Sequence, residues 1–238
     1  MTDTCLIFKN LFGYDTISGL PKKLPQNMRC FYIIDSTDNC QKAESLGWET
    51  IYINKYLDIT DSFKKRKVIA EINCYPERFI DTSQFKYVFI CDSNVVALDS
   101  NYSDFVSKKS EEKALYLTSG WYKGSQNTMQ QELARSLGNR RWEYNFNEMR
   151  KSVSEYLSHL TDMGKNIAHT PVISAKYIGW NINHPMKREI SDYVYTEYTK
   201  HLQGNIIFSM ALQIYPAHIE HYTNFKNDGS VSDHIVSL

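Results

Sequence analysis

The sequence carries no excess of either charge: Lys and Arg number 27 together, and so do Asp and Glu. Nucleic-acid binders and polybasic membrane anchors draw on a basic surplus, so nothing global supports either class, and no nucleic-acid partner is expected. Long apolar runs are missing too. The longest, Ile206 to Leu212, is interrupted by Ser209 and falls far short of the roughly 20 residues that cross a bilayer. The opening MTDTCLIFKN has no basic start followed by a long apolar stretch, so no signal peptide is expected and a soluble, cytoplasmic protein is. Cys5, Cys30, Cys40, Cys74 and Cys91 include no C-x-x-C pair. An odd set, partly inside strand-like apolar runs, predicts reduced thiols in a reducing compartment and argues against a zinc ribbon or a disulfide scaffold. G-x-S-x-G, Walker A, G-x-G-x-x-G and H-E-x-x-H patterns are all absent, which disfavours a covalent hydrolase. With no repeat, no low-complexity tract and no linker rich in Pro or Gly, the chain of 238 residues reads as a single domain, 1–238.

What is plentiful is aromatic surface: 13% of residues, with 17 Tyr among them. Tyr combines flat apolar area with a hydroxyl, which suits stacking on sugars or bases and equally suits the packing of strands and helices. The first hundred residues alternate between the two element types. Strands are predicted at Cys5–Phe8, Cys30–Ile34, Thr50–Ile53 and Tyr87–Cys91. A short helix bearing Ala43 and Leu46 ends at Gly47, and a longer one starts at Asp61–Ser62 and runs to about Tyr75. Unbroken apolarity in the strands predicts a parallel sheet covered on both faces, joined by right-handed crossovers. Past Asn94 the texture changes. Ser107–Lys113 reads as a charged connector, and Thr128–Leu137 and Phe146–Leu160 as amphipathic helices, the second with Met149, Val153, Tyr156, Leu157 and Leu160 on one face. Lys176–Trp180 reads as a strand ended by a polar turn, and Asn205–Leu212 as a helix with little polar surface.

The strand Tyr87–Cys91 delivers Asp92 at its carboxyl end, with the amide Asn94 two positions on. In open α/β sheets that edge is where ligands bind. A carboxylate with a second oxygen donor beside it can hold one hard divalent cation such as Mg²⁺ or Mn²⁺, which bridges two phosphates and neutralises a leaving diphosphate. An Asp after a buried strand is also an ordinary turn former.

Context sharpens the choice. Phe12-Gly13-Tyr14-Asp15-Thr16, after the first strand, resembles the Phe-Gly-x-Tyr-Asp opening of hexosyltransferase-like GT-A glycosyltransferases, a group found in bacterial polysaccharide clusters and large algal viruses. Further features follow in the same order: Asp35 after the second strand, Gly47–Trp48 before the third, the basic run Lys64-Lys65-Arg66-Lys67, and Asp92-Ser93-Asn94 where that group carries Asp-x-Asn or Asp-x-Asp. Gln203-Gly204-Asn205, opening an apolar helix, completes the series. The resemblance implies a GT-A-like nucleotide-diphosphosugar transferase fold of α/β class, with a mostly parallel central sheet flanked by helices. Residues 1–100 would form its nucleotide-binding half and 101–238 its acceptor-side half.

It also implies roles. Tyr14 and Asp15 would stack on and hydrogen-bond the base, Asp35 would accept a ring N–H, and Arg66 and Lys67 would contact the diphosphate. Asp92 and Asn94 would hold Mn²⁺ or Mg²⁺, and Gln203 would steady the sugar in a retaining reaction. From the residues alone, Tyr14–Asp15 is equally a plain turn, Asp35 equally an N-cap, and the basic run a solvated helix face. Two departures stand out: Asn94 replaces the more usual second acid, and Glu71 stands where a second cation is expected.

Histidines supply the remaining chemistry. His184 sits in the polar turn near Trp180, Asn181 and Asn183, which fits a sugar-facing catalytic pocket and equally a surface loop. His218 and His221, three apart, can share a helix face. The resemblance gives one of them, His218 in this reading, a place in the metal shell, as a late His has in retaining GT-A enzymes; an exposed pair is the plainer alternative. Glu132 and Glu197, on predicted helices, are candidate acceptor-side carboxylates. The implied function is metal-assisted hexosyl or pentosyl transfer from a UDP- or GDP-sugar to a glycan or other hydroxyl acceptor. Two rivals remain: a sugar nucleotidyltransferase, which would carry a Gly-rich basic loop where this chain has Phe12-Gly13-Tyr14, and a non-catalytic glycan-binding protein on the same sheet.

Overall fold

The apolar runs of the first hundred residues become four neighbouring strands: β1 (Thr4–Asn10), β2 (Arg29–Ile34), β3 (Glu49–Tyr52) and β4 (Tyr87–Asp92). The computed structural model describes residues 3–10, 24, 28–35, 37–53, 62–92, 95–97, 112–119, 128–132, 146–165, 172–201, 204–222 and 235–237. In the second half β6 (Leu115–Ser119), β7 (Ile173–Asn181) and β8 (Ile219–Tyr222) extend the same sheet, which runs β3-β2-β1-β4-β7-β6-β8. Six of these strands point one way; β7 alone is reversed, antiparallel to β4 and to β6. β5 (Val95–Ala97) pairs with β9 (Ile235–Ser237) in a separate two-stranded sheet.

Beside the 3-10 turn Pro76–Arg78 and the helical residues 129–132, the strands are accompanied by α1 (Thr37–Ser45), α2 (Ser62–Cys74), α3 (Phe146–Asp162), α4 (Lys187–His201) and α5 (Gly204–Ile214). Side chains alternate between two cores because successive residues of a strand face opposite ways. Ile7, Ile33, Ile90, Leu117 and Trp180 join Val68 and Ile72 of α2, Val194 of α4 and Ile207 of α5. Phe8, Tyr32, Phe89, Tyr116 and Tyr177 face the other way, toward Ala43 and Trp48. Covered on both sides, β1 and β4 have the unbroken apolar sequence of buried parallel strands. Tyr32, Tyr87, Tyr116 and Tyr177 all lie in the second core, so for these four the aromatic surplus is packing.

Local signals explain several boundaries. α1 and α3 both end in Schellman motifs. Gly47 (φ +89°) and Gly164 (φ +65°) take the left-handed position, while Trp48 N–H donates to the Ala43 carbonyl at 3.1 Å and Lys165 N–H to the Leu160 carbonyl at 3.0 Å. The helical turn at 129–132 begins with a reciprocal cap: Thr128 N–H donates to Gln131 Oε1 at 3.0 Å, and Gln131 N–H to Thr128 Oγ1 at 3.3 Å. The pair His218/His221 is not helical. Ile219-Glu220-His221-Tyr222 forms β8, hydrogen-bonded to β6.

Gly179 of β7 lets the Phe89 ring approach the strand closely. A Cβ built there would meet Phe89 Cε1 at 2.5 Å and Tyr116 Cβ at 3.2 Å. Gly179→Ala should therefore lose about 1–3 kcal/mol of stability through overpacking, read from denaturant midpoints; an unchanged midpoint would contradict this packing. All five thiols are free, and burial pushes those of Cys5 and Cys74 upward. Among the described residues no helix is long and apolar enough to cross a membrane.

Candidate functional site

The order of the sheet places the site. From β1 the chain steps outward through β2 to β3, then α2 carries it back to β4 on the other flank of β1. The strand order thus reverses between β1 and β4, and a crevice opens outside the carboxyl ends of two such strands. Asp92 closes β4 at that point, with Lys9 of β1 as its register partner. Lys9 is paired in turn with Ile33 of β2, so Asp35, which follows β2, leaves the sheet at the same edge. As the crossover from β3 to β4, α2 begins at this edge too. Its first two turns carry Lys64 and Lys67, both exposed, and Arg66, half-buried. Asp35, Arg66, Lys67 and Asp92 are therefore brought to one side of the molecule. Tyr14, Asp15, Asn94 and Gln203 lie outside the described residues.

Two predicted residues do not join them. Because β7 runs against β4, its last residue, Asn181, sits beside Tyr87 at the start of β4. His184 follows in the turn there: its Nδ1 accepts from Met186 N–H at 3.1 Å, and its Nε2 lies 3.2 Å from the Glu112 carbonyl. His218 precedes β8 at this same edge, its carbonyl accepting from Ala114 N–H and Leu115 N–H, and the two imidazoles are 5.6 Å apart. At about 3.3 Å per residue, β4 separates this edge from Asp92 by about 17 Å. His184 and His218 thus stand at the edge away from Asp92, His184 because β7 is reversed and His218 because β8 runs parallel to β6 and so in the direction of β4.

The departure at Glu71 has a local account. Glu71 Oε1 accepts from Arg78 Nη1 at 2.8 Å, and Arg78 lies 4.1 Å above the Tyr75 ring. Nearby, Lys187 Nζ, buried at the start of α4, pairs with Glu77 Oε1 at 2.6 Å, and Tyr75 OH donates to Asp192 Oδ1 at 2.5 Å. These bonds fasten the end of α2 to the start of α4, at the edge opposite Asp92.

No family model matches the sequence, and no curated protein is similar enough in sequence to match it. Solved structures do match. Mouse xyloside xylosyltransferase 1, in its apo form, is similar over 100% of this chain and 97% of its own, with a TM-score of 0.52 at 9% identity. A glycosyltransferase involved in glycosylation of the major capsid of PBCV-1 is similar over 98% of this chain and 92% of its own, with a TM-score of 0.51 at 8% identity. The glycosyltransferase GlyE of Streptococcus pneumoniae TIGR4 gives 0.50 at 12% identity over 98% of this chain and 50% of its own. This is a GT-A fold. Identities this low speak for the fold alone.

Within the GT-A sheet, His221 is the member of the His218/His221 pair that the sequence reading set second. It lies in β8 opposite Leu117, on a strand running toward the Asp92 edge, and its Nε2 is buried with no hydrogen-bond partner among the described residues. After β8 the chain leads to β9, and β9 pairs with β5, which begins just past Asn94. The segments that follow Asp92 and His221 thus converge. No local pattern separates His221 from His218; the pairing of Ile219–Tyr222 with β6 does.

Burial holds the His221 imidazole below its ordinary pKa, so the folded chain takes up this proton less readily than the unfolded chain does. The linked stability is present above the ordinary histidine pKa and falls as pH drops below it. His221→Asn should thus lose less stability than the parent between pH 7 and pH 5, as read from urea midpoints; an equal loss would contradict this environment.

The acceptor-side candidates are both buried. Glu132, 7% exposed, accepts from Asn205 Nδ2 at 3.3 Å at the start of α5. Glu197, 8% exposed, accepts from Lys200 Nζ at 3.1 Å and lies 3.6 Å from His201 Nε2 at the end of α4. α4 ends and α5 begins toward the Asp92 edge, and Ser209 Oγ, accepting from Ile173 N–H at 2.8 Å, ties α5 to the start of β7.

Proposed function

We propose that this chain is a glycosyltransferase that moves a hexosyl or pentosyl group from a UDP- or GDP-sugar to a hydroxyl of a glycan or another acceptor. The observation that carries the reading is the position of Asp92: last residue of a fully buried strand, at the reversal of strand order in a GT-A sheet, with Asp35 and the cationic start of α2 at the same edge. Residues 1–100 serve the nucleotide and 101–238 the acceptor.

In this reading Tyr14 and Asp15 hold the base, Asp35 accepts its ring N–H, and Arg66 and Lys67 face the diphosphate. The donor set of Asp92 and Asn94 is hard oxygen, which fits Mn²⁺ or Mg²⁺, and His221 takes the late-ligand place in preference to His218. A bound ion supplies positive charge against the departing diphosphate. Gln203 steadies the sugar face in a retaining reaction. In an inverting one, Glu132 or Glu197 takes the acceptor proton. Free thiols fit a reducing compartment such as the cytoplasm.

The test is nucleotide release from a panel of UDP- and GDP-sugars, with simple sugars as acceptors and Mn²⁺ present. Release from one donor, raised by an acceptor and suppressed by EDTA, is expected. Release from none across the panel would turn the reading toward a non-catalytic glycan-binding protein.

A further inference from the structure

α2 is bonded to the sheet at one residue near its end. Asn73, 2% exposed, accepts at Oδ1 from Lys9 Nζ of β1 at 2.8 Å. Its carbonyl, one of those that a helix end leaves without an intrahelical donor, accepts from Trp180 Nε1 of β7 at 2.6 Å. Lys9 is itself buried, and a lysine is almost never buried without a partner, so the bond to Asn73 is one the fold must keep. Val68 and Ile72 hold α2 on the sheet through apolar contact, which is non-directional; the two bonds of Asn73 are directional and fix where the helix rests along its axis. Tyr75, just past the helix, is bonded instead to Asp192 of α4.

Helical spacing carries this pinning to the Asp92 edge. Arg66, half-buried, lies four residues before Ala70 and seven before Asn73, so the three share one side of α2. Lys64 and Lys67, both exposed, fall on other sides. Two turns of a stiff helix, about 10 Å at 1.5 Å per residue, separate Asn73 from Arg66. The backbone of Lys9, in turn, is the register partner of Asp92. The bond between Lys9 and Asn73 therefore ties the helix that carries Arg66 to the strand residue beside the acid, and any slide or turn of α2 would move the guanidinium relative to Asp92.

We propose that Asn73 is a positioning residue of the donor site: it pins α2 to β1 and β7, and so holds Arg66 where the diphosphate of a nucleoside diphosphate binds. The proposal rests on the transferase reading and deepens it, since it singles out Arg66 within the basic run and names the remote bonds on which its place depends.

The test is calorimetric titration of the full chain with UDP and GDP in Mn²⁺. For the nucleotide that the parent binds, Arg66→Ala should raise Kd about tenfold or more, the loss of a charge-assisted contact. Lys9→Met breaks the bond to Asn73 while keeping the length and apolar stem of the lysine, and should raise Kd about fivefold or more, because a small misplacement of a charged contact is costly. Trp180→Phe breaks the other bond of Asn73 without removing a charge. It gives a second route that does not depend on Lys9→Met folding, and should raise Kd about threefold or more. In the Arg66→Ala background, each of these two substitutions should change Kd by less than about twofold, since no guanidinium is left to misplace. A role confined to stability predicts the parental Kd in both folded single variants. That result in either one, a parental Kd in Arg66→Ala, or an effect that persists in full without Arg66 overturns the inference and leaves the transferase reading standing. A parent that binds neither nucleotide sinks both.

Discussion

Trp180→Ala should remove about 3–5 kcal/mol of stability, enough to leave a domain of ordinary stability near its unfolding threshold. Trp180 is fully buried in β7, where it pairs with Val88 of β4 and Leu115 of β6. Its ring fills the space beneath α2 and α4, with Lys187 Nζ 5.8 Å from its centre, and its Nε1–H satisfies the Asn73 carbonyl at 2.6 Å. Alanine would leave a cavity and an unsatisfied carbonyl together. Trp180→Phe separates the two terms: most of the volume stays, only the hydrogen bond goes, and a smaller loss of about 1–3 kcal/mol is expected. Denaturant titrations of the three proteins give both numbers. A loss under about 1 kcal/mol in Trp180→Ala would mean that this side chain does not hold α2 on the sheet.

Asp92→Asn should behave oppositely, with a large effect on turnover and almost none on stability. The substitution keeps shape and removes one charge at the end of β4, where the strand leaves the core. Because Asn94 contributes no charge, Asp92 is the sole acid of the Asp-x-Asn pair, and nothing in that pair replaces it. Nucleotide release from the preferred donor should fall about 100-fold or more, about 2.7 kcal/mol of transition-state stabilisation, with the denaturant midpoint within about 0.5 kcal/mol of the parent. Parental turnover in a folded Asp92→Asn would remove Asp92 from the chemistry.

The legible part of the fold was the part governed by short-range patterns. β1, β2 and β4 announce themselves because strands buried on both faces must be apolar throughout, and Gly47 marks the end of α1 because only glycine takes φ of +89° without strain. Asp92 could be placed at a strand end for the same reason. What the sequence concealed was strand direction. Lys176–Trp180 reads as a strand whichever way it runs, and the reversal of β7 decides that His184 lies at the far edge from Asp92, as the parallel pairing of β8 with β6 does for His218. β8 was obscured by its brevity: four residues containing Glu220 and His221 fit a helix face and a strand equally until their pairing with β6 is seen. α4 was legible only as a helix around Glu197, without bounds, because its buried side includes Lys187, Ser191 and Glu197, polar residues made tolerable by partners such as Glu77 and Lys200 that no local pattern reveals. Lys9 was silent for a related reason, since a lysine at a strand end reads as solvated unless Asn73 is known to lie over it.

The most direct test of the account is a crystal structure of the chain grown with Mn²⁺ and whichever of UDP or GDP it binds. The account places the diphosphate outside the ends of β1 and β4, within reach of Asp92, with the base toward Asp35. A nucleotide found elsewhere, above all at the edge that carries His184 and His218, would contradict it.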